Sequence, residues 1–472
     1  MIGRIREQDY IRQCLESGRP EFLVLYGRRR VGKTFLIREY FHESFAFYAT
    51  GVAREKTAGQ LRIFCDSLRR YGDKHRRVAK DWLEAFSRLR DLLSREDVPR
   101  DPVSGKMIVF LDELPWMDTP RSNFRSALEY FWNSWGSVRS DLLLIACGSA
   151  TSWIIKHLLN SRGGFYNRVT RQIHLAPFTL AECEQLLNSN GFDMSQQQVL
   201  ECYMIFGGIP HYLNCLDKRM SLAQNIDTLI LHPGGQLHYE YERLFDSLFK
   251  NAKKHISIIE ALAAKRGGLM RTDLARIKKI GDGQPLTTAL QELEQCGFIR
   301  KYRGYNKRRN GNIFQLTDPF TMFHFYFQEN KDLSSWVDFM NSPGYYTWRG
   351  NAFENVCLNH ISQMKAALGI TGVVTKEYSW RSLDRADGSQ IDLIIERRDQ
   401  ITHLCEMKFT EDEYEVSKEE FQKLQHRHAQ FIKETGTKNS VQILLVSANG
   451  VKRNMYTDIA QHVITAKDLF AL

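Results

Sequence analysis

Phe22-Leu23-Val24-Leu25-Tyr26-Gly27-Arg28-Arg29-Arg30-Val31-Gly32-Lys33-Thr34 is the stretch whose reading decides the fold. A continuous apolar run reads as a buried strand, and Gly, four residues, then Gly-Lys-Thr follow it. A strand, a tight loop and a helix start in that order form a cradle for nucleotide phosphates. Gly27 and Gly32 let the backbone through Arg30 curl so that its N–H groups point inward. Lys33 adds a point charge for the β- and γ-phosphates, Thr34 offers a hydroxyl to Mg²⁺, and the new helix presents its positive end. Gly27, Arg30, Gly32, Lys33 and Thr34 are therefore the candidates for holding ATP.

Met107-Ile108-Val109-Phe110-Leu111 is a second apolar run and ends in Asp112-Glu113. A buried strand delivers Asp112 at its carboxyl end, where open α/β sheets bind ligands. Asp112 is expected to hold Mg²⁺, and Glu113 to orient and deprotonate the attacking water. Residues 142–146 lead into Cys147-Gly148-Ser149. Ser149 reads either as a γ-phosphate sensor or as a plain turn serine. Arg168, just before a short last strand at 172–175, reads either as an arginine finger or as a surface ion pair. The finger role requires a homo-oligomer.

These runs alternate with helical spacing through about residue 176, which predicts a parallel sheet covered on both faces. Residues 177–250 are mostly helical, broken at Gly207-Gly208-Ile209-Pro210. Residues 251–320 read as helix, helix, helix, hairpin, a winged helix-turn-helix pattern. Residues 321–345 read as a linker. A further α/β unit fills 346–472, with strands at 391–396, 401–409 and 440–446 and helices near 350–368 and 417–435.

The 472 residues suffice for three or four domains. No apolar run approaches the ~18 residues of a membrane span. The first residues, Met1-Ile2-Gly3-Arg4-Ile5-Arg6, lack the apolar core of a signal peptide, so a cytoplasmic protein without a membrane partner is expected. Nine cysteines are scattered singly, which argues against a disulfide framework or zinc ribbon. The formal net charge of +10 favours anionic partners, nucleic acid first among them.

With these residues in view, residues 1 to about 320 resemble the archaeal-type ATPase family, a branch of the AAA+ and signal-transduction ATPases. The resemblance rests on Tyr26 to Thr34, Phe110-Leu111-Asp112-Glu113-Leu114, Gly148-Ser149 and Pro177-Phe178. Gly207-Gly208-Ile209-Pro210 resembles the family's lid motif, which implies that Pro210 touches the adenine end of the nucleotide; the alternative is an ordinary helix stop. Gly3-Arg4 resembles the family's N-terminal Gly-Arg-Glu signature, with Ile5 in place of the Glu.

Arg300-Lys301-Tyr302-Arg303-Gly304-Tyr305-Asn306-Lys307-Arg308-Arg309 forms the expected wing. Arg300, Lys301, Arg303, Lys307, Arg308 and Arg309 are its candidate phosphate contacts, and Tyr302 and Tyr305 can stack on bases or pack on sugars. Glu292 and Glu294 on the presumed recognition helix oppose this, and winged helices also bind proteins.

Asp392 and Glu406-Met407-Lys408 are the last constellation. A hairpin turning at 397–400 sets residue 392 opposite about 405 or 406, with Glu406 and Lys408 on one face. Two converging carboxylates are costly unless a cation holds them. Mg²⁺ suits all-oxygen ligation by Asp392 and Glu406, with Mn²⁺ as an alternative. Lys408 is placed to position or activate a water. Residues 346–472 thereby resemble the PD-(D/E)xK restriction-endonuclease-like superfamily, although Gln390-Ile391 precedes Asp392 where the name has Pro. The resemblance implies Glu354 as the helical acidic residue and, loosely, Gln422 or Gln425 as an accessory residue.

Two readings result. One is an ATPase controlling a Mg²⁺-dependent nuclease, with DNA ranked ahead of RNA and defence against foreign DNA as the suggested setting. The other is a nucleotide-switched, nucleic-acid-binding regulator or motor whose C-terminal domain is noncatalytic.

Overall fold

The computed structural model describes residues 1–160, 165, 167–249, 251–305, 311–329, 335–384 and 388–471. The chain divides into two compact units, Met1–Ala176 and Pro177–Leu472.

The first unit is built on β1 (Glu21–Tyr26), β2 (Phe47–Thr50), β3 (Met107–Asp112), β4 (Leu142–Gly148) and β5 (Arg171–His174). They lie in the order β2-β3-β4-β1-β5. Every pairing is parallel. All residues of β3 and β4 are buried. That matches their unbroken apolar runs, because a parallel sheet has helices on both faces. The helices Thr57–Arg70, Trp82–Leu93 and Phe124–Ser134 bury one such face. Trp82 stands edge-on to Phe64 and Phe124, with ring centroids 5.3 and 4.8 Å apart.

The second unit begins with the helices Leu180–Ser189 and Gln196–Phe206, each opened by a capping box. Gly207-Gly208 ends the second helix. Gly207 has φ 63°, in the left-handed region that glycine adopts without a Cβ clash. A Cβ on Gly208 would run into the carbonyl of Phe178, whose N–H donates to the Gly208 oxygen at 2.6 Å. Pro210 then starts the short helix Pro210–Leu213. Next come the helices Lys253–Ala263, Arg271–Ala275 and Gln284–Gln295, with the strands β6 (Leu269–Met270), β7 (Ile299–Gly304) and β8 (Asn312–Leu316).

Most described residues of the segment expected as a linker are helical. Pro319–Glu329, Trp336–Met340 and the start of Pro343–Asn359 occupy it. Its aromatic residues explain why: Phe323, Phe327, Trp336, Phe339, Tyr345 and Trp348 pack together, with Phe323 and Phe327 4.4 Å apart and Trp336 and Trp348 5.2 Å apart. Aromatic residues at this density bury far more apolar surface than a solvated connection leaves exposed.

The remaining strands are β9 (Thr375–Arg381), β10 (Gln390–Arg397), β11 (Ile401–Lys408), β12 (Ser440–Ser447) and β13 (Ala460–Thr465). β9, β10 and β11 are antiparallel neighbours, whereas β11, β12 and β13 run parallel. The helix Lys418–Thr435 makes the crossover from β11 to β12. One pairing was not foreseen: β7 lies parallel to β9 at Arg303–Tyr378 and Gly304–Ser379. The hairpin and the C-terminal strands therefore share one eight-stranded sheet, β13-β12-β11-β10-β9-β7-β8-β6.

Among the described residues, no helix is long and apolar enough to cross a membrane. The nine cysteines are free thiols, and all but Cys215 are buried. The contact at Gly208 yields a stability test: Gly208→Ala should lower the unfolding free energy of the second unit by ~1–3 kcal/mol, read from chemical denaturation, because backbone must shift to admit the methyl group.

Candidate functional site

The first site lies at the carboxyl ends of β1, β3 and β4. Gly27 has φ 150° and packs so closely on the Leu175 carbonyl that no Cβ fits. Arg30 and Gly32 are left-handed, at φ 71° and 92°, which turns the loop into the helix Lys33–Tyr40. The Lys33 ammonium is buried and donates to the carbonyl oxygens of Gly27 and Arg28 at 2.9 and 2.8 Å. The loop is also braced from outside: Arg4 is buried and donates to the Val31 carbonyl at 3.2 Å, while Ile5 beside it is exposed. Gly3-Arg4 therefore supports the loop, a role with no need for the absent Glu.

The Thr34 hydroxyl donates to Asp112 at 2.8 Å. This hydroxyl and carboxylate are the pair able to hold Mg²⁺ beside a phosphate. Burial raises the pKa of Asp112, and the neighbouring Glu113 adds to the rise. Glu113 sits at φ 45° just past β3. Both its carboxylate oxygens face Ser149, one accepting from the hydroxyl and the other from the backbone N–H at 3.2 Å. The acidic pair and Ser149 are thus brought together by adjacent strands. Arg168 is exposed on the segment before β5.

The second site is a cleft of about 370 Å³ in the second unit, and Glu354, Asp392, Glu406 and Lys408 all line it. The helix Pro343–Asn359 brings Glu354. The β10–β11 register ends at Leu393 opposite Cys405, so one further step sets Asp392 against Glu406. On its other edge β10 carries a bulge between Ile391 and Ile394, where one extra residue faces β9. A bulge re-aims side chains at that point, and Asp392 and Leu393 are the two residues within it.

The charges in the cleft are compensated within the protein. Glu406 pairs with Lys408 at 3.0 Å and accepts from Arg427 at 2.6 Å. Gln390 donates to Asp392. Burial raises the pKa of Glu354 and Asp392; Asp392 and then Glu406 press on Glu354, and Glu406 presses on Asp392. Arg300 opposes both rises. The carboxylates form an all-oxygen donor set suited to Mg²⁺. Among the described residues, however, no group of three or more His, Cys, Asp or Glu is drawn tightly enough to be a ready metal cage.

Several expectations need correction. Arg300 is half-buried rather than an outward contact of the wing: it lies over the Tyr302 ring at 5.1 Å and donates to Gln315 at 2.9 Å, and its charge acts on Glu354 and Asp392. Tyr305 is not a stacking platform, because it is buried against Phe431 and Tyr378 and donates to Glu396 at 2.6 Å. The pairing of β7 with β9 at Arg303 and Gly304 sets Tyr305 beside Tyr378 and buries it. Lys301 and Arg303 are exposed, whereas Lys307, Arg308 and Arg309 lie outside the described residues. Gln422 and Gln425 are exposed, and neither lines the cleft; Arg427, further along the same helix, reaches Glu406 instead. Sequence reasoning missed Arg427, and also Gln390, although the latter sits two residues before Asp392 and so shares its face.

The parallel sheet, the phosphate loop and the Thr34–Asp112 pair define an α/β P-loop ATPase core. Residues 1–216 match the family model described as an ATPase domain predominantly from Archaea, and this match supports an ATPase in this part of the chain. An uncharacterised protein of Methanocaldococcus jannaschii, MJECL04, is 23% identical over 331 residues, which are 69% of this chain and 68% of that protein. Among solved structures, the Walker-type ATPase PABY2304 of Pyrococcus abyssi aligns with TM-score 0.47 and 18% identity, over 68% of this chain and 95% of its own. The ORC2 protein of Aeropyrum pernix aligns with TM-score 0.41 and 14% identity, over 70% and 95%.

The raised Glu354 pKa has a consequence for stability. The folded state holds this proton more tightly than the unfolded chain, so ionisation weakens the fold as pH rises above the ordinary carboxyl range. Glu354→Gln, neutral at every pH, should make the second unit more stable than wild type at pH 8. The difference should shrink toward zero as pH falls to ~4, in paired urea melts.

Proposed function

We propose that this protein is an ATPase whose nucleotide cycle controls a metal-dependent nuclease cleft in its C-terminal part. The observation that carries the nuclease half is the meeting of Glu354, Asp392, Glu406 and Lys408 in one cleft, on a helix, a bulged strand and that strand's hairpin partner. This is the arrangement expected of a winged-helix ATPase joined to a PD-(D/E)xK domain. Nucleic acid is the substrate, DNA ahead of RNA, and defence against foreign DNA in the cytoplasm is the setting that suits an ATP-controlled nuclease.

Asp392 and Glu406 would hold Mg²⁺, or Mn²⁺ in its place, with Glu354 supporting. When bound there the ion supplies charge neutralisation at the scissile phosphate. Lys408 positions or activates the attacking water, and Arg427 keeps Glu406 oriented. Lys301 and Arg303, with Lys307, Arg308 and Arg309, hold phosphates of the nucleic acid. In the ATPase, Gly27, Arg30, Gly32 and Lys33 grip the triphosphate, and Thr34 and Asp112 hold Mg²⁺. Glu113 activates water, Ser149 senses the γ-phosphate, Pro210 touches the adenine end, and Arg168 acts on a neighbouring subunit in a homo-oligomer.

One observation favours a second reading. Glu406 is already paired with Lys408 and Arg427, so the cleft is electrostatically tolerable without a metal. In that case the protein is a nucleotide-switched binding protein, and the cleft is structural.

The deciding experiment incubates the full chain with DNA and with RNA, plus Mg²⁺ or Mn²⁺, with and without ATP. Metal-dependent cleavage that falls by ~100-fold or more in both Asp392→Ala and Lys408→Ala supports the nuclease. Cleavage that survives both substitutions rejects this cleft as its source, and no cleavage under any condition leaves the binding protein. For the ATPase, Lys33→Ala should abolish ATP binding in calorimetry. Glu113→Gln should bind ATP yet release phosphate at least ~100-fold more slowly.

A further inference from the structure

One of the two cations on Glu406 comes from outside the hairpin. Arg427 stands on the helix Lys418–Thr435, which crosses over from β11 to β12. It lines the carboxylate cleft together with Glu354, Asp392, Glu406 and Lys408. Its Nη1 lies 2.6 Å from Glu406 Oε2, while Lys408 Nζ lies 3.0 Å from Oε1. Each oxygen of Glu406 therefore already meets a positive charge. Asp392, on the facing strand, accepts instead from the neutral amide of Gln390.

The two cations differ in how they can change partners. Lys408 has a second carboxylate nearby, Glu420 at 3.8 Å. The Arg427 side chain is 30% exposed, so solutes that enter the cleft can reach it. Lys423, exposed, sits one helical turn before it and adds positive charge to the same helix. A guanidinium carries its donors in a flat fork that pairs with phosphate as well as with carboxylate. Arg427 is thus the cation able to pass from Glu406 to a phosphate.

A divalent ion ligated by Glu406 would lie ~2.0–2.1 Å from one of its oxygens. Glu406 keeps lone pairs for such an ion, but the ion and the Arg427 guanidinium would then share one carboxylate. In a partly buried cleft salt and water screen that repulsion poorly. A phosphate beside Arg427 relieves it in two ways, by adding negative charge and by drawing the guanidinium off Glu406.

We propose that Arg427 gates the cleft: its ion pair with Glu406 keeps a divalent metal weakly bound until a nucleic-acid phosphate takes the guanidinium over. The inference rests on the metal-dependent nuclease reading above and adds to it that metal and nucleic acid bind cooperatively. Linkage makes the effect reciprocal, so the metal tightens nucleic-acid binding by the same factor.

Mn²⁺ binding to the full chain tests the gate without any cleavage. It is followed by loss of the free-ion electron paramagnetic resonance signal, with no nucleotide or nucleic acid added. The share of binding that Asp392→Ala removes belongs to the cleft. Arg427→Gln should tighten that share about five- to a hundredfold. Arg427→Lys, which keeps the charge, should stay closer to wild type. In a second arm, labelled cleavage-resistant phosphorothioate DNA is titrated by fluorescence anisotropy in EDTA and in Mn²⁺ at one ionic strength. Wild type should bind it more tightly in Mn²⁺, and Arg427→Gln should show a smaller gain. Unchanged or weaker Mn²⁺ binding in an Arg427→Gln protein that melts like wild type overturns the gate, as does an equal tightening in Arg427→Lys. Either result leaves the nuclease reading standing. If Arg427→Gln melts lower, wild type decides: DNA affinity that does not respond to Mn²⁺ overturns the gate. If Asp392→Ala removes no Mn²⁺ binding from wild type or from Arg427→Gln, the metal-dependent reading itself falls, and the gate with it.

Discussion

Carboxylates cannot be gathered at the end of a sheet without opposite charge, and the second unit is organised around that constraint. Asp392 and Glu406 face one another because β10 and β11 form an antiparallel hairpin in one register, and Glu354 joins them from a helix. Left alone, three such groups in a partly buried cleft would repel one another strongly. Lys408 and Arg427 hold Glu406, Gln390 holds Asp392, and the charge of Arg300 acts on Asp392 and Glu354. Arg300 comes from β7, so the cleft is not the property of the C-terminal strands alone. The pairing of β7 with β9 brings the hairpin's cation to them.

The helix Pro343–Asn359 gives the same lesson from the other side. It carries Glu354, and its neighbours tie it into the start of the unit. Tyr345 donates to Glu201 at 3.5 Å, and Arg349 lies 3.9 Å from Glu201 and 3.1 Å from Glu411. Arg349 is buried, with Phe409 and Tyr345 ring centroids 4.4 and 4.9 Å away. Where the helix ends, His360 accepts from the Leu180 N–H at 3.0 Å and donates to Val356 at 2.8 Å. Burial lowers its pKa to about 4, which keeps the ring neutral and able to accept. Glu354 is therefore positioned by contacts that start some 150 residues earlier in the chain, and the helical segment, the hairpin and the C-terminal strands form one packed body.

The nucleotide site follows a simpler logic. A fully buried parallel sheet exposes only its strand ends, and three adjacent strands put Gly27, Asp112-Glu113 and Ser149 at one edge. Each polar group there already has a partner. Lys33 is held by loop carbonyls, Thr34 by Asp112, and Glu113 by Ser149. A triphosphate and its metal would exchange these contacts for their own, so the groups are pre-positioned without being left unpaired in a buried place.

The sequence by itself determined whatever is local. The phosphate loop, the acidic pair after β3, the helix–helix–helix–hairpin order and the Asp392/Glu406 register were all legible. Each depends on periodicity, a turn or a short spacing that the chain carries within a few residues. Tertiary structure alone decided which side chains those pieces would meet. β9 and β13 were missed: the charges and mixed polarity of Thr375–Arg381 and Ala460–Thr465 weaken the alternation that marks a strand. The aromatic residues within 321–345 passed for part of a connection because their burial becomes visible only once helices pack on them. Tyr305 changed from a wing contact to an interior group for the same reason. Its partners Tyr378 and Glu396 come from β9 and β10, about 70 to 90 residues further on, and a pairing at that distance is set by the packing of whole elements and leaves no mark on the residues beside it.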